Sequence, residues 1–124
     1  MERLSFIRRQ MLTLSIPYEF GEWTTDVTYP YSVGEYTEEP ITTEDGAETS
    51  TFILNFFHRG SYADLESIKA IIKQHFHPIS GLRDSIESGA IAVFYESAFY
   101  VPTNEADLKR LQINLTIKEW KGAL

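Results

Sequence analysis

From Leu111 to Ile117 every second residue is leucine or isoleucine: Leu111, Ile113, Leu115 and Ile117. The residues flanking and between them are Arg110, Gln112, Asn114, Thr116 and Lys118. A strict period of two is the mark of a strand with one dry face and one polar face. Such strands belong to antiparallel sheets covered on one side only. The polar face is therefore open to solvent, to the lumen of an assembly or to a partner, and its five residues are interface candidates. Trp120 lies just beyond.

A second organising stretch spans residues 50–76. Thr51 to His58 is rich in β-branched and aromatic side chains, which suit a pleated surface. Phe52, Leu54 and Phe56 fall on one face; Ile53, Asn55 and Phe57 fall on the other. Gly60 breaks the strand. Ser61 and Asp64 then form a capping box, in which each side chain satisfies a backbone N–H of the opening turn. Leu65, Ile68, Ile72 and Phe76 recur at helical spacing with Ile71 and His75 beside them, while Glu66, Lys69, Lys73 and Gln74 fall opposite. The pattern predicts an amphipathic helix laid on a sheet.

The remaining segments are less regular. Leu4, Ile7, Met11 and Leu14 predict a helix over residues 2–14, ended by Pro17. Arg8 and Arg9 sit on its solvated side, where the functional alternative is pairing with an acidic subunit. Residues 15–30 read as an aromatic loop crossing a sheet edge, with core packing ahead of interface. Trp23 and Tyr29, with Tyr31 at the next strand, are its interface candidates, because aromatic residues are enriched at protein contacts. Residues 31–37 predict a strand that Gly34 weakens or bulges. Residues 38–50 carry Glu38, Glu39, Glu44, Asp45 and Glu48 and no basic residue. They read as an acidic, mobile hairpin connection, either simply solvated or an arm that orders on a partner. Residues 77–89 read as another connection. Residues 90–101 predict two strands with a bend near Glu96 and Ser97.

The segment order is then α-β-β-α-β-β-β in a single domain spanning 1–124. The expected fold class is α+β: a mostly antiparallel sheet of four to five strands with two helices packed on one side.

Composition narrows the chemistry. The formal charge of −7 argues against specific nucleic-acid binding, which needs a basic face to displace counterions from phosphates. Cysteine is absent, which removes disulfides, thiolate metal sites and cysteine nucleophiles. The first ten residues have no secretory pattern, and no apolar run approaches the ~20 residues needed to cross a bilayer. The expectation is a soluble intracellular protein with no membrane contact. The histidines His58, His75 and His77 lack a zinc frame, and Glu44-Asp45-Gly46 lacks calcium-loop spacing. Arg59-Gly60-Ser61 is explained by a turn and a helix cap. No nucleophile, base and orienting group combine, so the reading is a non-enzyme with no metal and no cofactor. A small enzyme using Glu35, His58 or Tyr100 in a cleft ranks last.

The order and size of the parts carry one resemblance. Tyr29-Pro30-Tyr31 leads a strand and an acidic connection. A strand ending in Arg59-Gly60-Ser61-Tyr62 and the helix Leu65-Glu66-x-Ile68-Lys69 follow. The close is Asp107-Leu108-Lys109-Arg110-Leu111-Gln112-Ile113-Asn114-Leu115-Thr116-Ile117-Lys118-x-Trp120. Over nearly the whole chain this resembles the tail-completion proteins of long-tailed bacteriophages, the tail terminators or tail-to-head joining proteins. The resemblance implies a homo-hexameric ring that caps the tail tube, touches the tail tube protein and meets the head-completion or connector protein. It implies a place at the head-proximal end of the virion tail, with assembly in the bacterial cytoplasm. It carries no catalytic residue. A head-closure or adaptor protein and a non-viral interaction module are the alternatives.

Overall fold

The computed structural model describes residues 2–42 and 48–121. The elements run α1 (Glu2–Thr13), β1 (Tyr18–Phe20), β2 (Tyr31–Thr42), β3 (Glu48–His58), α2 (Tyr62–His75), β4 (Leu82–Ile86), β5 (Gly89–Val101) and β6 (Lys109–Lys121). The strands form one six-stranded sheet in the order β1-β2-β3-β6-β5-β4. β1 is parallel to β2 and every other pairing is antiparallel. The expected mostly antiparallel sheet of four to five strands is thus corrected to a mixed sheet of six with two helices.

Three local causes explain the difference. The stretch expected to be an aromatic loop contains β1, because the Pro17 carbonyl accepts both the backbone N–H and the hydroxyl of Ser32, at 2.9 and 2.8 Å. Gly21 donates its N–H to the Gly34 carbonyl at 2.8 Å and closes the parallel pair. Next, residues 90–101 make one strand, not two, since β6 offers an unbroken ladder and the irregularity at Glu96 is absorbed as a bulge between Tyr95 and Ser97. Finally, β4 was hidden in the expected second connection because three exposed residues, Arg83, Asp84 and Ser85, separate Leu82 from Ile86. The acidic connection is also shorter than expected, with β2 running to Thr42 and β3 starting at Glu48.

The core lies between the helices and one face of the sheet. Phe52, Leu54 and Phe56 of β3 meet Leu111, Ile113, Leu115 and Ile117 of β6, all fully buried. α1 adds Phe6, Ile7 and Met11; α2 adds Leu65 and Ile72, with Phe76 at its C-cap. Phe6 lay outside the expected stripe, and its burial brings Arg3 inward as well. Arg3 Nε donates to Glu119 at 2.7 Å, with both side chains at most 5% exposed, and its guanidinium lies over the Tyr36 ring. The cation stays buried because a carboxylate and a ring face replace its water. Arg8 instead pairs within the chain, with Glu19 at 3.5 Å. Gly34 is required by close packing: a Cβ there would lie 2.5 Å from the Tyr18 hydroxyl and 2.7 Å from Phe52.

Truncating Phe56, which is fully buried, to alanine is expected to cost ~3–5 kcal/mol in urea unfolding. Leu12→Ala, at a residue 69% exposed, should stay within ~0.5 kcal/mol. A second expectation concerns alkali. Burial pushes the Tyr18 phenol up to about 12, and its hydroxyl has no hydrogen-bond partner among the described residues. The folded state therefore favours the neutral phenol. Its contribution should be whole below the ordinary value of 10.0 and lost as pH rises from there through about 12. Tyr18→Phe should flatten that limb of the stability curve, as followed by circular dichroism.

Candidate functional site: the helix-free face of the sheet

Alternation sends every odd residue of β2 and β3 and every even residue of β6 to the face without helices. Rows of side chains therefore cross the sheet in register. One row is Tyr31, Phe57, Arg110 and Val101; the next is Val33, Asn55, Gln112 and Phe99. Then come Glu35, Ile53, Asn114 and Ser97.

At the β2 side the floor is aromatic and cationic. Tyr31 stacks on Phe57 with ring centroids 5.3 Å apart, and the Arg110 guanidinium lies 5.7 Å from the Phe57 centroid. Trp23 meets Tyr31 edge-on at 5.9 Å and donates its indole N–H to the Ser32 carbonyl at 2.9 Å. The segment after Gly21 thus folds over this corner and forms a cleft of about 420 Å³ that reaches Glu35, Asn55 and Arg110. Tyr29 touches Tyr31 at the rim and accepts a hydrogen bond from Arg59 Nε. Arg59 also pairs with Glu105 and Asp107, which pins the 102–108 connection to the end of β3.

Across the middle runs a polar network. Asn55 donates to Glu35 at 3.3 Å and accepts from Arg110 Nε at 3.0 Å. Gln112 donates to Asn114 at 3.0 Å, and Asn114 donates to the Ser97 hydroxyl at 3.1 Å. Thr116 donates to Glu96 at 2.7 Å. Asn55 is itself buried, yet all its polar partners lie on the open face. At the β4 side, Arg83 covers Phe94 and stands in the same row as Ala92 and Lys118. Pro78 and Ile79 border a second hollow beside Phe94, Thr116 and Lys118. The face thus carries a hollow with aromatic walls at each side and a hydrogen-bonded polar network between them.

This face gathers Trp23, Tyr31, Arg110, Gln112, Asn114, Thr116 and Lys118, with Tyr29 at its rim. It does not gather Glu48, which lies on the covered side 3.9 Å from Arg3. Glu38 and Glu39 belong to β2, but their side chains lie outside the described residues, as do Glu44 and Asp45 altogether. Sequence reasoning placed Asn55 and Phe57 on this face of β3 but did not name them, or Glu35, as interface candidates. The signal was present in the alternation of β3, where Asn55 interrupts the otherwise apolar face of Ile53 and Phe57.

The histidines are separately engaged. His58 Nε2 bonds Asp64 at 2.8 Å on the covered side, and His75 Nε2 bonds Gln10 at 2.8 Å. His77 Nδ1 accepts the backbone N–H groups of Ile79 and Ser80. Among the described residues no three potential metal ligands cluster. Glu35 sits on the open face, whereas His58 and Tyr100 are on the covered one, so those three do not converge. Tyr100 donates to Glu66, and burial with that hydrogen bond pushes its phenol up to about 12. No helix among the described residues is long and apolar enough to cross a membrane. No protein-family model matches the chain, and no curated protein matches it significantly.

A double-mutant cycle on Asn55→Ala and Arg110→Ala should give a coupling of ~1 kcal/mol, read from urea unfolding. Acid should act at the helix cap. Asp64 is held below the ordinary carboxylate range, first by the hydrogen bond from His58 and further by the Ser61 N–H. A depressed folded value means its contribution is present above the ordinary value and fades as pH falls through the folded one. Asp64→Asn should remove that part of the acid limb.

Proposed function

We propose that this chain is a structural subunit of a bacteriophage tail, a tail-completion protein of the terminator type. In this reading it works as a homo-hexameric ring on the end of the tail tube. The ring stops tube growth and offers a surface to the head-completion or connector protein. The observation that carries the reading is the helix-free sheet face. It combines two aromatic, cation-bearing sides with a polar middle and has no convergent catalytic set among the described residues. Ring subunits need such surfaces outside their own cores. Tyr, Trp and Arg anchors, as at Tyr31, Trp23 and Arg110, are the residue types that dominate protein contacts. The segment order from Tyr29 to Trp120 supplies the phage context.

The net charge of −7 suits a ring through which DNA passes, because like charge keeps the polyanion from adhering. The work of such a protein is binding and geometry, so it takes no metal and no cofactor. It sits at the head-proximal end of the virion tail after assembly in the bacterial cytoplasm.

The test is solution mass by light scattering over a wide concentration range, with and without tail tube protein from the same genome. A species of about six copies, free or seated on the tube, is the expected result. A chain that never binds the tube overturns the reading. Binding to the connector alone would reassign the chain to a head-closure or adaptor role.

A further inference from the structure

The β4–β5 edge of the sheet is guarded unevenly along its length. β4 covers β5 only from Gly89 to Val93. The Phe76 carbonyl then takes the outward N–H of Tyr95 at 2.9 Å. Past the bulge at Glu96, no strand among the described residues lies beside residues 97–101 on the side away from β6. The ladder fixes which groups face outward there. Gly34 turns toward β1, so Leu54 opposite it turns toward β6. Ile113 therefore bonds with Leu54, and its other neighbour, Ala98, points out of the sheet. Tyr100, two residues on, does the same. Counting from Tyr95 across the bulge gives the same answer.

Unpaired edges are ordinarily blunted by charge, proline or shortness. β4 obeys this, with five residues and an exposed Arg83-Asp84-Ser85 centre. Ser97-Ala98-Phe99-Tyr100-Val101 is equally short and lies between the bulge at Glu96 and Pro102, but it carries no charge and no proline of its own, and Phe99, Tyr100 and Val101 favour strands. Its flanks are exposed aromatics, Phe99 on the helix-free face at 47% and Tyr62 beside Tyr100 on the other at 55%.

We propose that this edge is a strand-addition site, and that its occupant is the same edge of a second copy. The two strands pair antiparallel about a twofold axis at Phe99. The segment is self-complementary in that register. Ala98 stands opposite Tyr100 of the other copy, small against large, and their outward groups exchange both hydrogen bonds. Phe99 meets Phe99 in a non-hydrogen-bonded pair, where aromatic side chains contribute most directly. No like charges are opposed within the paired stretch. This contact is isologous and so differs from the head-to-tail contact of a ring. It goes beyond the ring reading and does not depend on it.

The absence of cysteine makes the test direct. Phe99→Cys places two thiols in a non-hydrogen-bonded pair, within disulfide reach. Diamide oxidation of the full chain should convert most of it to a covalent dimer. Ser85→Cys on the blunted β4 edge should convert at least tenfold more slowly. Adding Ala98→Pro removes an outward donor without touching the internal ladder, and should suppress the Phe99→Cys dimer. In the cysteine-free chain, Phe99→Lys opposes two cations and should halve the sedimentation mass found without tail tube protein. Circular dichroism checks that each variant is folded. A wild-type chain that stays monomeric at millimolar concentration overturns the proposal. So does equal oxidation at positions 85 and 99, or a dimer indifferent to both Phe99→Lys and Ala98→Pro. A ring on the tail tube that persists with the edge blocked leaves the terminator reading standing.

Discussion

The burial of one face of β6 is the constraint on which the rest of the molecule depends. β6 lies between β3 and β5 and pairs with both along almost their whole lengths. Its Leu and Ile positions touch the same core that Phe6, Leu65 and Ile72 reach from the helices. A shift of one residue would turn that entire stripe into solvent and bury Arg110, Gln112 and Lys118. Register is therefore specified strongly, and everything on the helix-free face inherits its positions from it. Asn55 stands beside Arg110, and Asn114 beside Ser97, because Leu54 and Ile113 are held on the opposite side.

The covered face also explains why the open one is polar at its centre and apolar at its sides. Side chains over β6 and β3 sit mid-sheet, where neighbours already shield them from water. Buried polar atoms there require partners, and they find them in one another. Toward β1 and β4 the sheet thins to short strands, and aromatic rings and the flanking segments supply the cover that strands do not. Arg83 over Phe94 and Arg110 over Phe57 follow the same logic. Each spreads a cation on an apolar ring while keeping its charge available to the surface.

Much of this was legible in the residues. The alternation in β6 and the capped amphipathic helix after Gly60 were clear because each pattern is set by local sterics and by one large burial term. The structure differs where tertiary context overrides local preference. β1 exists only because Ser32 and Gly34 offer it partners from a strand fourteen residues away in sequence. β4 is carried by two apolar residues out of five, too few for a periodic signal. The bend at Glu96 was visible, but whether a bend divides a strand or bulges it depends on the continuity of the neighbour. The site was partly legible: the polar stripe of β6 announced itself, while its partners Glu35 and Asn55 could be matched to it only by knowing the strand order.

The place of β6 in that order has a consequence for biosynthesis. The strand at the middle of the sheet is the last of the six to leave the ribosome. At ordinary rates of translation, ~5–20 residues per second, β3 and β5 are complete for a second or more before the strand that joins them exists. During that interval the segments that become β1–β3 and β4–β5 lack the strand that joins them. The spatial order of the strands therefore departs from their order of synthesis. In the finished sheet the last-made strand lies between two that were made before it.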